Sequence, residues 1–259
     1  MAASAALAFT RCYDFAEKSM GLDVYVGSLV RYYTGDWETI VQQLGRETGV
    51  QVVVQRPPLP KPTLLDRLRA FFSPQGADAA ARDIERWRRR LEHEIRAPIT
   101  WNEDPDAVYF TDKPVWDCYG ALVLWAAYDE QPQPNRPATA EGWSEDATYK
   151  AVSVDLKSRY RHLVSNTQLW LPVDFADPIG TYGVTGDAIT VGSSVQLMRE
   201  LEELNRRTWS AGDAQISQWR LDGAEYGAPL EVSAHFAYAI FYELARESVR
   251  RRLPMKLDY

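Results

Sequence analysis

Cysteine and long apolar runs are both scarce in this sequence. The 259 residues include two cysteines, Cys12 and Cys118. Two cysteines do not make a disulfide framework, so the composition favours a reducing compartment and predicts a cytoplasmic protein. The longest apolar run, 121–128, is far shorter than the roughly 20 residues that a membrane-spanning helix needs. We therefore expect a soluble chain with no membrane association.

Catalytic and metal-binding signatures are also missing. The chain has three histidines, and neither a His-Glu-x-x-His nor a Cys-x-x-Cys pattern occurs, so we expect no metal and no cofactor. The Gly-x-Ser-x-Gly elbow and the glycine-rich nucleotide-binding patterns are absent too. A catalytic triad is recognised by geometry and not by spacing, so these absences leave an enzyme possible.

Proline and the second methionine suggest how the chain is divided. Met20 stands directly before the first strand-like run, which predicts that residues 1–19 are an N-terminal extension. Translation could start at either Met1 or Met20. Residues 56–62 hold four prolines and predict an extended connector. We expect residues 20–259 to form a single domain that contains this connector.

Hydrophobic residues make up 46% of the chain, enough for a sizeable core. Residues 22–33 predict a strand, a helix follows Gly35, and 50–54 predict a second strand, which together indicate a βαβ unit with parallel strands. Helical stripes recur after it, most clearly in 77–96. The predicted fold class is α/β or α+β, with a small mixed sheet, an N-terminal βαβ unit and six or more surrounding helices.

Acidic charge is unevenly distributed. The net charge is −7, and residues 98–150 hold ten acidic residues against three basic ones. Asp104, Asp106 and Trp143 are the predicted partner-binding residues of an acidic, aromatic surface. These features favour a protein-binding module of the immunity or inhibitor type that docks a basic protein partner. They predict no nucleic-acid partner, because an acidic chain repels phosphate, and they leave the oligomeric state open.

One strand-to-helix junction offers an anion site. Gly192, Ser193 and Ser194 follow a short β-branched run and open a helix, where free N–H groups attract anions. This turn is the predicted anion-binding site of the alternative function, an enzyme acting on a small anionic or phosphorylated substrate. The competing interpretation is structural, because Ser193 and Gln196 have capping-box spacing.

Three residues are the candidate acid–base groups of that enzyme. Glu231 and His235 share a helix face at a spacing of four, and Asp117 lies one turn into an apolar helix. The alternative for the Glu231–His235 pair is a buried polar seam without chemistry. The sequence leaves binding module and enzyme as two open function classes.

Overall fold

The computed structural model describes residues 22–48, 76–132 and 135–259. The predicted extension 1–19, the predicted strand 50–54 and the connector 56–62 lie outside the described residues. Within the described part, the elements form a six-stranded sheet with helices on both of its faces. The strands are β1 Asp23–Val26, β2 Phe110–Asp112, β3 Leu169–Leu171, β4 Ile179–Tyr182, β5 Ala188–Ser193 and β6 Met255–Asp258.

Nine α-helices belong to the described residues, which confirms the prediction of six or more. None of the described helices combines the length and apolar composition that crossing a bilayer requires. A 3-10 helix covers Trp143–Glu145. The helices are α1 Leu29–Thr34, α2 Ile40–Thr48, α3 Ala77–Ile95, α4 Trp116–Glu130, α5 Ala147–Ser153, α6 Arg161–Val164, α7 Ser194–Thr208, α8 Asp213–Asp222 and α9 Leu230–Arg251.

The sheet is mixed, as predicted. Its strand order is β2-β1-β6-β3-β5-β4, and β3 and β5 are its parallel pair while the other described neighbours run antiparallel. Because side chains alternate between the faces of a strand, Trp170 packs on one side while Leu169 and Leu171 pack on the other. The sheet therefore separates two hydrophobic cores.

The larger core lies under α4 and α9. Both helices are apolar along most of their length, which is typical of buried helices. On the opposite face, Ile84, Trp87 and Leu91 of α3 pack against α1 and the sheet. That stripe is the one that the spacing in 77–96 predicts. The fold class is thus confirmed as a mixed sheet surrounded by helices, consistent with α+β.

The N-terminal part differs from the prediction. The first strand stops at Val26, and Ser28 then caps α1 by accepting a hydrogen bond from the Arg31 backbone N–H at 3.2 Å. Both neighbours of β1, namely β2 and β6, run antiparallel to it. The predicted parallel βαβ pairing is therefore wrong, because no side of β1 remains for a parallel partner.

Candidate acidic binding surface

A small pocket opens beside the start of α4. It has a volume of about 100 Å³ and is lined by three carboxylates from distant parts of the chain. Asp117 comes from the first turn of α4, Glu141 from the loop before the 3-10 helix, and Glu225 from the loop between α8 and α9. We call this cavity the acidic pocket.

Two carboxylates of the acidic pocket interact electrostatically. Burial raises the pKa of Asp117, and the negative charge of Glu141 raises it further. None of the three carboxylates forms an ion pair with a lysine, arginine or histidine of the described residues. Like charges held together without a cation form a surface that favours a positively charged ligand.

Further carboxylates lie on α8, in the middle of α7 and in the first turn of α9. The charges of Asp213 and Glu202 both raise the pKa of Tyr242, although burial is the larger cause. α8 has ten residues, so it spans about 15 Å. We define the acidic face as the pocket carboxylates together with the exposed carboxylates of α7, α8 and the start of α9: Asp117, Glu141, Glu202, Asp213, Asp222, Glu225 and Glu231.

Arginines near the acidic face are paired with carboxylates outside it. Arg220 of α8 forms an ion pair of 2.5 Å with the buried Asp112 of β2. Arg246 of α9 pairs with Glu243 at 2.5 Å. Neither arginine forms an ion pair with a carboxylate of the acidic face, although the charge of Asp213 does contribute to raising the pKa of Arg246.

Exposed apolar side chains lie among the same carboxylates in the chain. Leu221, Tyr226 and Val232 expose 54%, 67% and 43% of their surface. Single exposed apolar residues are ordinary, but three within 221–232 accompany Asp222 and Glu225. Protein-binding surfaces combine such aromatic and aliphatic anchors with a charged rim, so this part of the acidic face has the makeup of an interface.

The structure separates the predicted partner-binding residues. Asp104 and Asp106 are both exposed, and the Asp106 backbone N–H donates a hydrogen bond to Asp104 Oδ1 at 2.9 Å. Arg31 of α1 donates to the carbonyl oxygen of the next residue, Ala107, at 2.7 Å. Trp143 is only 5% exposed and packs between Tyr119 and Tyr149. A ring that is buried in the core does not meet a partner, so the predicted contact role of Trp143 has no support in the geometry.

Of the candidate acid–base groups, Asp117 and Glu231 belong to the acidic face, whereas His235 is largely packed beneath it. The imidazole of His235 stacks on Trp219 with ring centroids 3.8 Å apart. Its Nε2 atom lies 3.8 Å from Glu231 Oε1, too far for a hydrogen bond. Burial lowers the pKa of His235 more than Glu231 raises it. This arrangement favours the structural alternative for the pair.

The predicted anion turn is buried. Ser193 and Ser194 are both 0% exposed. The Ser193 N–H donates to His162 Nδ1 at 2.9 Å, and a Cβ atom added to Gly192 would lie 2.8 Å from Trp170 Cδ1. An anion therefore finds neither a free Ser193 N–H nor an open approach, and the geometry favours a structural turn.

The turn and the acid–base candidates also lie apart. Ser248 of α9 is 2.8 Å from Ser194 through their hydroxyl oxygens. His235 precedes Ser248 by thirteen residues of α9, which is about 20 Å along a helix. The predicted anion turn and the acid–base candidate His235 therefore lie near opposite ends of α9.

We expect Ser193→Ala to lower the free energy of unfolding by about 1 kcal/mol, because its hydroxyl caps α7 by accepting from the Gln196 N–H at 3.1 Å. Ser217→Ala, on the exposed side of α8, is the control and should change stability by less than about 0.5 kcal/mol. Thermal unfolding with and without phosphate should show no anion-dependent rise in Tm. Such a rise, lost in Gly192→Val, would restore the anion site.

Several residues of the acidic face were not predicted. Asp117 and Glu141 belong to the acidic segment 98–150, which is the one sequence signal for the pocket. Glu225, Asp222 and Asp213 come from a later stretch that also carries basic residues, so no local charge run marks them. Glu225 joins Asp117 at the pocket because the loop between α8 and α9 lies beside the start of α4.

Comparison with known proteins places most of the chain in one family. A model of the family described as "Putative DNA-mimic protein" matches residues 64–256. No curated protein and no solved structure matches the chain.

The match corrects the predicted partnership. The partners that a DNA-mimic family implies are proteins whose own ligand is DNA. The prediction that excluded nucleic acid from the partnership is therefore wrong. An acidic chain does repel DNA, but the same charge suits it to the proteins that bind DNA.

Proposed function

The chain belongs to this DNA-mimic family, and from that premise we propose that its acidic face binds the basic DNA-binding surface of another protein and excludes DNA from it. The carrying observation is the set of carboxylates without described cationic partners around the acidic pocket. Carboxylate and phosphate oxygens accept hydrogen bonds from the same arginine and lysine donors. A surface that binds phosphates is therefore able to bind this face.

The density of charge supports mimicry of one DNA strand. One strand carries a phosphate about every 3.4 Å along the helix axis, so about four phosphates fall within the ~15 Å that α8 spans. The acidic face has seven carboxylates, more than these phosphates in number, and Asp213 and Asp222 lie at the two ends of α8. The exposed apolar side chains within 221–232 would add contacts that DNA itself does not supply.

Such a protein would act as an inhibitor of its partner. Opposite charges speed the encounter of the two proteins and select basic partners over others. The complex excludes DNA because both ligands need the same basic residues. Binding should therefore weaken as salt concentration rises, in the way that protein–DNA complexes weaken. A cytoplasmic location, where such a partner would meet DNA, remains a prediction.

The test is competition between this protein and duplex DNA. Proteins retained on the immobilised chain are purified, and each is bound to labelled duplex DNA before the free chain is added. We expect the chain to displace the DNA, and Asp117→Asn combined with Glu141→Gln and Glu225→Gln to weaken displacement about 30-fold. That factor corresponds to about 2 kcal/mol for three ion pairs at about 0.7 kcal/mol each.

The matched control removes three charges elsewhere. Glu47, Asp78 and Asp155 form no ion pair with the described residues, and their combined change to Gln, Asn and Asn alters the net charge equally. We expect this control to displace DNA as well as the unmodified chain does. Simultaneous binding of DNA and chain to the retained protein, or equal loss in both variants, would contradict the proposal.

A further inference from the structure

The acidic pocket has apolar as well as charged lining residues. Val115, Ala140, Ala224 and Ala228 line it together with its carboxylates. A water molecule needs about 15 Å³ of such volume, so the pocket, at about 100 Å³, has room for a group of several heavy atoms. A lining that combines apolar side chains with carboxylates suits a side chain with a methylene stem and a polar head.

A buried hydroxyl lies in the same pocket. Ser233 of α9 is 5% exposed and lines the cavity. Its Oγ atom forms no hydrogen bond with any other described residue, whereas the hydroxyl of Ser248 on the same helix is fully engaged. A hydroxyl group at a cavity that has no hydrogen bond within the described residues is available to a ligand with hydrogen-bonding groups.

The carboxylates do not form a metal site. Among the described residues, no group of three or more His, Cys, Asp and Glu is placed to hold a metal ion. The pocket therefore suits a cation whose donors are spread over a larger group. The guanidinium group has five N–H donors in one plane, which allows it to reach several carboxylates and a hydroxyl oxygen at once.

We propose that the acidic pocket binds the guanidinium group of an arginine side chain that projects from the partner protein. Asp117, Glu141 and Glu225 accept its N–H donors, Ser233 Oγ accepts another, and the alanine walls contact the methylene stem. This proposal rests on the proposed function, and it assigns one residue type of the partner to one cavity of the acidic face.

The first test uses a small probe on the intact chain. N-acetyl-L-arginine methylamide is titrated into isotope-labelled protein, and the signals of Asp117, Glu141 and Ser233 are followed by NMR. We expect saturable shifts at millimolar probe, and binding several-fold weaker for the corresponding lysine probe. Asp117→Asn with Glu141→Gln should abolish the shifts, and Asp78→Asn with Asp155→Asn should leave them unchanged. Equal affinity for both probes, or no saturation, would overturn the guanidinium assignment.

The second test fills the pocket without changing any charge. Ala228→Leu places a larger side chain in the cavity, and Ala224→Leu does so from another position of the same loop should the first variant unfold. We expect either variant to lose the arginine-probe shifts and to weaken partner binding at least tenfold. One outcome would refute the arginine pocket and leave the proposed function standing. In that outcome both pocket-filling variants displace DNA as well as the unmodified chain does, whereas the three-charge variant displaces it less well. If the pocket-filling variants and the three-charge variant all displace DNA as well as the unmodified chain does, the proposed function is refuted instead.

Discussion

Glu200→Leu is expected to lower the free energy of unfolding by about 2 kcal/mol, because it removes a buried acceptor that two backbone donors share. The Glu200 carboxylate of α7 accepts from the His162 N–H at 2.8 Å and from the Leu163 N–H at 2.9 Å. These groups belong to the first turn of α6, whose own N-cap residue has no side-chain hydrogen bond. The Leu163 N–H also donates to the Tyr160 carbonyl oxygen at 3.0 Å, so the His162 N–H is the donor that loses its acceptor, at a cost of about 1–3 kcal/mol.

Chemical unfolding in urea measures this loss. Glu202→Leu on the exposed side of the same helix is the control, and we expect it to change stability by less than about 0.5 kcal/mol. A loss below about 1 kcal/mol for Glu200→Leu would show that water reaches these N–H groups. The expected result would establish Glu200 as the cap of α6.

The same carboxyl group should make stability depend on pH. Burial raises the pKa of Glu200 well above its ordinary 4.5, against the lowering effect of its two N–H donors. The folded state therefore holds this proton to a higher pH than the unfolded state does, so stability falls as pH rises above about 4.5. Glu200→Gln removes this dependence. The free energy of unfolding of the unmodified chain, measured relative to that of Glu200→Gln, should therefore decrease between pH 5 and pH 8.

Gly120→Ala is expected to lower the free energy of unfolding by about 2 kcal/mol or more. A Cβ atom on Gly120 of α4 would lie inside 3.0 Å of the Trp143 ring atoms Cδ1, Cγ and Nε1. The ring has no free direction in which to move, since Trp116, Tyr119 and Tyr149 surround it. Overpacking of about 3 kcal/mol outweighs the gain of about 1 kcal/mol in helix propensity.

A double-mutant cycle separates packing from backbone effects. In a Trp143→Leu background the added methyl group has space, so Gly120→Ala should become neutral or stabilising. Gly180→Ala is the control, because a Cβ atom at Gly180 meets nothing within 4 Å. Thermal unfolding measures all variants, with a shift in Tm of about 2–4 °C for each 1 kcal/mol. An unchanged cost in the Trp143→Leu background would contradict the steric explanation.

Long, strongly patterned elements were predictable because their signal is local. The stripe of Ile84, Trp87 and Leu91 predicted α3, and the capping spacing of Ser193 predicted the start of α7. Short elements were not. Residues 29–34 are rich in valine and tyrosine, which favour strands, yet they form α1 because Ser28 caps them and the core accepts Leu29 and Val30.

Charge was readable from the sequence because each carboxylate brings its charge wherever it lies in the fold. The net charge of −7 and the acidic segment 98–150 determined an acidic chain that favours a basic partner, and Asp117 was identified as a carboxylate of interest. Trp143 was misassigned to the surface because ring burial depends on neighbours that are far apart in sequence. Aromatic residues serve both cores and interfaces, so their abundance does not distinguish the two.

Only the tertiary structure decided which carboxylates act together. Asp117, Glu141 and Glu225 meet because α4 packs against α9 and the loop from α8 closes over the start of α4. The same packing buried the Gly192–Ser194 turn at the far end of α9, away from His235. Distances between residues of high sequence separation follow from packing of the whole chain, which no local pattern of residues encodes.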